Sequence, residues 1–387
     1  MNPARLRPAW AEVDLDAIAG NASLLARLVR PARLCAVVKA NAYGHGSVAA
    51  ARAALAGGAS WLAVALTEEG EELRQAGVDA PVLILSEPFG AAMEEAVLLG
   101  LTPTVYTLDG VAAAAAARRP GRPPVSVHVK VDTGMHRVGA DLDDAVAVAE
   151  KVGASPDLRL EGLWTHMAVA DADPAYTAEQ LERFERVRAA LAERGVVPEM
   201  VHAANSAGAI LRPASRYDLV RTGIALYGYP PAPEHGARPE LVGLRPALQL
   251  KARVTHVRRL AAGERISYGR RYSLPEESVV ATVPLGYADG VPRRLYETGG
   301  TVLVGGRRRP IAGVVTMDQL MVDCGPGADV SVGDEVVLIG RQGDEAVTAE
   351  DWAGLLGTIS YEVVSALSAR VARRYTGGPT GAGSGAD

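Results

Sequence analysis

The sequence predicts a (β/α)8 TIM-type barrel followed by a mainly β C-terminal domain. Three observations carry that reading. Through the first two-thirds of the chain, short β-branched runs alternate with alanine-rich stretches of helical length. Eight such runs occur, each mostly apolar on both faces, as strands buried in a parallel sheet are. Near residue 229 the alternation stops at a proline-rich stretch, and short strands with turn signals follow.

In chain order, the strand-like runs are "LCAVVKA" (34–40), "WLAVAL" (61–66), "PVLILS" (81–86) and "TPTVY" (102–106). "VSVHVKV" (125–131), "LEGLWTH" (160–166), "MVHAAN" (200–205) and "YDLVRTGIALY" (217–227) complete the eight. The helices between them have readable ends. "SVAAARAALAGG" begins at Ser47 and stops at a glycine pair, and another helix starts at Asp173 with Pro174 in its first turn and ends at Gly195. A doubly wound open sheet is the alternative, but no G-x-G-x-x-G follows the first strand. The stretch "YPPAPEHGARPELVGLRP" suits a linker. Beyond it, "LQLKARVTHVRRL", "SVVATVPLGY", "TVLVGG", "RPIAGVV", "QLMVDC" and "DEVVLIG" read as strands, with one helix at "TAEDWAGLLG" (348–357). The expected division is a barrel over 1–240, a β domain over 241–376 and a disordered tail over 377–387.

Composition narrows the function classes. A net charge of −5 gives no electrostatic case for nucleic acid or an anionic membrane. The start "MNPARLRPAW" lacks the apolar stretch of a signal peptide, and no run approaches the length of a membrane span, so a cytoplasmic protein is expected. Cys35 and Cys324 each lie in an apolar strand and suggest neither a disulfide framework nor a zinc site. The seven histidines show no metal-ligand spacing, so no metal is expected.

The chemistry collects at strand ends. Of forty basic residues only four are lysines (Lys39, Lys130, Lys151 and Lys251), in a chain that otherwise uses arginine. An amine can lose its proton and form a carbon–nitrogen double bond, whereas a guanidinium stays charged. Lys39, closing the first strand in "AVVKANAYGHG", is therefore a candidate Schiff-base residue. In such a barrel, functional side chains sit at the carboxyl ends of the strands. Tyr43 follows the first strand; Lys130, Asp132 and Arg137 follow the fifth; His166 ends the sixth; Asn205 and Ser206 end the seventh; Arg221 and Gly223 lie in the eighth. The second domain adds Tyr268 in "ISYGRRYS", Tyr287 in "PLGYADG" and Tyr361 in "TISYEV".

At these residues the sequence resembles the bacterial alanine racemases, enzymes of fold type III that use pyridoxal 5′-phosphate (PLP). The resemblance runs through "AEVDLDAI", "VVKANAYGHG", "DTGMHRVG", "THMAVAD", "NSAG", "RTGIALYG", "SYGRRY", "GYADG", "TMDQ" and "TISYEV", in order and over nearly the whole chain. It implies interconversion of L- and D-alanine, supplying D-alanine for peptidoglycan, by a homodimer with shared active sites. It implies that Lys39 carries PLP as a Schiff base and is one catalytic base, with Tyr268 of the partner subunit as the other. Arg221 would face the pyridine nitrogen, with His166 against it. Tyr43, Ser206, Tyr361 and the backbone amides of Ser206, Gly223 and Ile224 would hold the phosphate, with Asn205 beside them in the cofactor set. Arg137 would meet the cofactor's phenolic oxygen and the substrate carboxylate, oriented by Lys130, which corresponds to a lysine often carbamylated in the family. Met317 and Tyr287 of the partner subunit would line the substrate site. Two positions depart from the pattern: Thr316 stands where cysteine is frequent, and Ala372 where proline is.

The competing readings are a decarboxylase or a broader racemase of the same fold type, and a non-catalytic PLP carrier. Decarboxylases of the fold generally carry glutamate, not arginine, against the pyridine nitrogen. Broad-specificity racemases tend to be exported. PLP carriers resemble the barrel alone.

Overall fold

In the computed structural model, residues 6–378 are described; of the expected tail, 379–387 lie outside them. The chain divides into two compact units, one of residues 16–42 and 47–245, the other of residues 6–15, 43–46 and 246–378.

The first unit is the barrel. After strand β1 (Ala9–Asp14), its strands are β2 (Arg33–Val37), β3 (Trp61–Val64), β4 (Val82–Ile84), β5 (Thr102–Val105), β6 (Val125–Lys130), β7 (Leu158–Trp164), β8 (Met200–His202) and β9 (Leu219–Thr222). All pair in parallel in chain order from β2 to β8, and β9 pairs back on β2. The last gap has no ladder. It is bridged by Asp218 N–H donating to the Val201 carbonyl, Arg221 N–H donating to the Ala204 carbonyl (3.0 Å each) and the Asp218 carboxylate accepting from Val201 N–H. The barrel is thus nearly closed.

Helices cross between the strands because a parallel connection must return over the sheet's face. That burial explains the valines of β6: Val127 and Val129 face outward into a core with Val148, Val152, Phe184 and Leu191 from the helices. Burying each such side chain contributes about 1.5–3 kcal/mol. The inward positions of the same strand, His128 and Lys130, are left for the barrel interior. The helix Pro174–Glu193 starts where the sequence predicts, with Asp173 accepting from Tyr176 N–H at 3.0 Å.

The second unit is mainly β. One sheet runs β16 (Arg307–Pro310), β15 (Thr301–Val304), β18 (Glu335–Gln342), β10 (Leu248–Arg253), β1 and β20 (Ala372–Thr376). A second contains β11 (His256–Leu260), β14 (Ser278–Val283) and β17 (Leu320–Asp323), while β12 (Arg265–Ile266) pairs with β13 (Tyr272–Ser273) and β19 (Glu345–Val347) with β18. Here the structure differs from the expected division at residue 240. Residues 9–14 are hydrogen-bonded not to the barrel but between β10 and β20, Trp10 opposite Lys251 and Ala372. The partners lie some 240 and 360 positions away, so no local pattern announces the pairing. The run "LQLKARVTHVRRL" is also two strands in different sheets. Helix Ala349–Leu356 has the predicted cap at Thr348 and stop at Gly357, and an unpredicted short helix, Ser360–Ser365, follows. No helix of the described residues is long and apolar enough to cross a membrane.

Candidate active site

Lys39 follows β2 at the point where the backbone turns sharply. Val38 N–H still bonds to the Ala63 carbonyl on the neighbouring strand β3, but Ala40, Asn41, Ala42 and Tyr43 all take left-handed conformations, with φ of 53, 52, 53 and 53°. For L-residues each costs roughly 1–2 kcal/mol. Local polar groups hold the turn: Ala40 N–H donates to the Glu69 carboxylate at 2.6 Å, and the Asn41 side-chain oxygen accepts from Ser47 N–H at 3.0 Å. Strain of this kind persists where surroundings over-determine it, commonly at functional residues. Burial, then the Arg137 guanidinium, draws the Lys39 amine below its ordinary range, against the pull of Glu69.

Lys130 ends β6 in a buried position, its Nζ 4.5 Å from the centroid of the Trp164 ring. Burial first, then Arg137 and Arg221, draws its amine down to about 7. Arg137 itself sits in an exposed loop whose turn is pinned by Asp132, which accepts from the N–H groups of Gly134, Met135 and His136 at 2.9–3.1 Å.

Arg221, on β9, is buried across the barrel. Its Nη2 donates to the carbonyls of Thr165 (2.8 Å) and Ala203 (3.0 Å) and lies 3.3 Å from His166 Nδ1; its Nη1 donates to His202 Nδ1 at 2.7 Å. Burial draws the guanidinium down to about 10, so it remains charged at neutral pH. His166 is held well below its ordinary value by burial and by Arg221, Lys130, Arg137 and Lys39, so it is neutral. Asn205 caps the short helix Ser206–Leu211, accepting from Gly208 N–H at 2.9 Å, and Ser206 Oγ accepts from Gly223 N–H at 3.0 Å. Ile224 is buried beside them in sequence.

The barrel therefore brings together Lys39, Lys130, Arg137, Arg221 and His166, and places Asn205, Ser206, Gly223 and Ile224 at its last strands. Four cations acting on one another, opposed by Asp132 and Glu69, suit anionic ligand groups such as phosphate or carboxylate. An amine drawn below its ordinary range, as at Lys39, or down to about 7, as at Lys130, can act as nucleophile or base.

The second unit holds the remaining candidates. The Tyr43 and Tyr361 rings lie 6.2 Å apart, and burial raises the Tyr43 phenol to about 12. Tyr268, Tyr287 and Met317 are exposed. Tyr287 and Met317 nevertheless ride on one rigid clamp, with Tyr287 N–H donating to the Thr316 carbonyl and Ala288 N–H to the Met317 carbonyl, 3.0 Å each. Gly286 is required there, since a Cβ would lie 2.3 Å from both carbonyl oxygens. Beneath the turn, buried Asp289 accepts two bonds from Arg7 (2.6 Å each) and one from Gly286 N–H.

Sequence reasoning missed His202, His128 and Trp164, which surround Arg221 and Lys130. A signal existed for one: His128 is in phase with Lys130 in "VSVHVKV", so both share the interior face.

Against known proteins, residues 13–231 match the family described as "Alanine racemase, N-terminal domain" and residues 247–375 match "Alanine racemase, C-terminal domain". The chain is 48% identical to an alanine racemase of Symbiobacterium thermophilum over 375 residues, covering 96% of this chain and 98% of the relative. It is 44% identical over 374 residues to that of Thermobifida fusca, covering 95% and 98%. Among solved structures, alanine racemase from D-cycloserine-producing Streptomyces lavendulae superposes with a TM-score of 0.90 at 38% identity, covering 96% of this chain and 98% of that one. The enzyme from E. faecalis gives 0.90 at 39%, covering 97% and 100%.

Proposed function

The chain belongs to the alanine racemase family, and from that premise we propose how its own residues interconvert L- and D-alanine. The observation that carries the reading is the cation cluster at the barrel mouth around Lys39, whose amine burial and Arg137 draw below its ordinary range. That donor set fits PLP: an amine to link its aldehyde, and cations and N–H groups to meet its phosphate and phenolic oxygen. By the family pattern Lys39 would hold the aldehyde carbon. Tyr43, Ser206, Tyr361 and the N–H groups of Ser206, Gly223 and Ile224 would hold the phosphate, with Asn205 fixing the neighbouring turn. Arg137 would meet the phenolic oxygen and the substrate carboxylate.

Bound PLP supplies the electron sink that makes an amino acid's α-proton acidic. The chain must then move that proton on two faces. Lys39 takes it from D-alanine, and Tyr268 of the partner subunit takes it from L-alanine; each returns a proton for the opposite direction. Both groups ordinarily titrate near 10. For Lys39, burial and Arg137 already act in the needed direction. Arg221 would donate to the pyridine nitrogen yet keep its proton, because a guanidinium at about 10 stays charged at neutral pH. That limits the sink and disfavours transamination; a carboxylic acid at the same place would do the reverse. His166 packs against Arg221 as a neutral ring.

Lys130, at about 7, presents an unprotonated amine above that pH and can add carbon dioxide. The carbamate would turn a cation facing Arg137 into an anion that orients it. Tyr287 and Met317 of the partner subunit line the substrate site, so the working enzyme is a homodimer. We place it in the cytoplasm, supplying D-alanine for peptidoglycan.

The test is chiral analysis of the purified protein incubated with PLP and L-alanine, together with borohydride fixation of the cofactor. D-Alanine should accumulate, and the label should sit on the peptide carrying Lys39. A label on Lys130 or Lys251, or no D-alanine, contradicts the reading.

A further inference from the structure

Behind Arg221 lies a line of polar groups that none of the roles above uses. Arg221 Nη1 is 2.7 Å from His202 Nδ1, and His202 Nε2 is 2.9 Å from His128 Nδ1. His128 Nε2 then faces the Glu161 carboxylate (Oε2) at 3.5 Å, and neither of those two atoms has another hydrogen-bond partner among the described residues. Arginine can only donate, so His202 Nδ1 must accept. A neutral His202 then carries its proton on Nε2 and donates to His128 Nδ1. His128 in turn carries its proton on Nε2, toward Glu161. Every link donates in the same direction.

Two backbone features serve this line. The β6–β7 ladder is regular except for one shift, Val127 opposite Leu160 and His128 opposite Gly162, which leaves Glu161 as the extra residue of a bulge. Bulges re-aim side chains. Gly162 is the only residue type that fits, because a Cβ there would lie 2.5 Å from the His128 ring. The rings are further fixed by Trp61 against His128 and by Trp164 stacked on His202, both at 5.5 Å. Arg159 donates to the other Glu161 oxygen at 2.8 Å, keeping the carboxylate ionised.

We propose that His202, His128 and Glu161 are positioning residues that hold Arg221, a one-way relay through the barrel interior fixing the guanidinium's orientation and passing carboxylate charge toward it. This rests on Arg221 meeting the cofactor's pyridine nitrogen. The neutrality the relay requires agrees with burial lowering both histidines, with Arg221 adding to the effect at His202.

The first test is 15N NMR of histidine-labelled protein with and without PLP, the two rings assigned through His128→Gln and His202→Gln. Both rings should be neutral with the proton on Nε2. A proton on Nδ1 of either ring, or a charged ring at neutral pH, overturns the relay. This readout needs no cofactor, so it stands apart from any failure of the PLP assignment. The second test is Glu161→Leu, which should lower kcat about tenfold, leave KM for alanine unchanged and shift the absorption band of the bound cofactor. Glu161→Gln, which keeps an acceptor, should recover most of the rate. A folded Glu161→Leu protein with unchanged kcat and band overturns the proposal, as does a Glu161→Gln protein no better than Glu161→Leu.

Discussion

Arg221 is 3% exposed and Tyr268 is 70% exposed, and that difference separates two ways of preparing for the same reaction. At the barrel mouth Lys130 and Arg221 are buried and Lys39 and His166 half-buried, and Arg221 is braced by carbonyls and Lys39 by a turn in an unfavourable conformation. In the β unit the backbone is just as tightly fixed, by the Gly286 clamp and the Arg7–Asp289 pair, yet the side chains it carries face outward. Burial tunes the barrel groups within one chain, as the lowered Lys39 and Lys130 amines record. A rigid mount for an exposed tyrosine makes sense if a second chain brings the burial. On the proposed two-chain reading, one half of the site is tuned by folding and the other is completed by assembly.

The sharpest way to separate the halves is Tyr268→Phe. Deleting an exposed phenol should leave stability within about 0.5 kcal/mol, while removal of a general base typically slows turnover on the order of 10²–10⁴-fold. Equilibrium requires both directions to slow together. Exchange of the α-hydrogen in D₂O should be asymmetric, retained with D-alanine through Lys39 and slow with L-alanine. Equal loss for both enantiomers would favour one base serving both faces.

Next in size is the charge held at the barrel mouth. Lys130 falls from 10.5 to about 7 on folding, so the unfolded chain binds the extra proton between those values. The cost of burying the ammonium is therefore complete below pH 7 and fades as pH rises toward 10.5. In cofactor-free protein Lys130→Met should stabilise by about 5 kcal/mol well below pH 7 and by under about 1 kcal/mol near pH 10, read from denaturant midpoints. Equal stabilisation at both pH values would show that packing, not charge, is what Lys130 costs.

The smallest effect concerns the turn after Lys39. Ala40→Gly removes the Cβ penalty of a left-handed residue and should raise stability by about 0.5–1 kcal/mol. The same substitution at a helical alanine such as Ala53 should destabilise instead. A loss at Ala40 would mean that the left-handed turn is not strained.

These regions were not equally legible in the sequence. Strands buried on both faces are continuous apolar runs, so the end of each run marks the barrel mouth; Lys39, Lys130 and His166 were found that way, and Arg221 as a cation inside the eighth run. Helix starts at Asp173 and Thr348 were legible because capping is a local interaction. Pairing of residues 9–14 with 248–253 and 372–376 was not, since it is decided by partners far along the chain. The left-handed run at 40–43 was hidden because alanine, asparagine and tyrosine give no sign of it. His202 and Glu161 were also missed: each looks like an ordinary strand residue until the bulge turns the carboxylate toward His128.

The claim that two chains complete one site is tested most directly by mixing two inactive proteins, Lys39→Ala and Tyr268→Phe. In a mixed dimer, one site keeps both an intact Lys39 and the partner subunit's intact Tyr268, while the other lacks both. The account predicts that verified mixed dimers regain a substantial part of wild-type racemisation, up to about half per dimer if the sites act independently. Mixed dimers with no activity above the two parent proteins would contradict it.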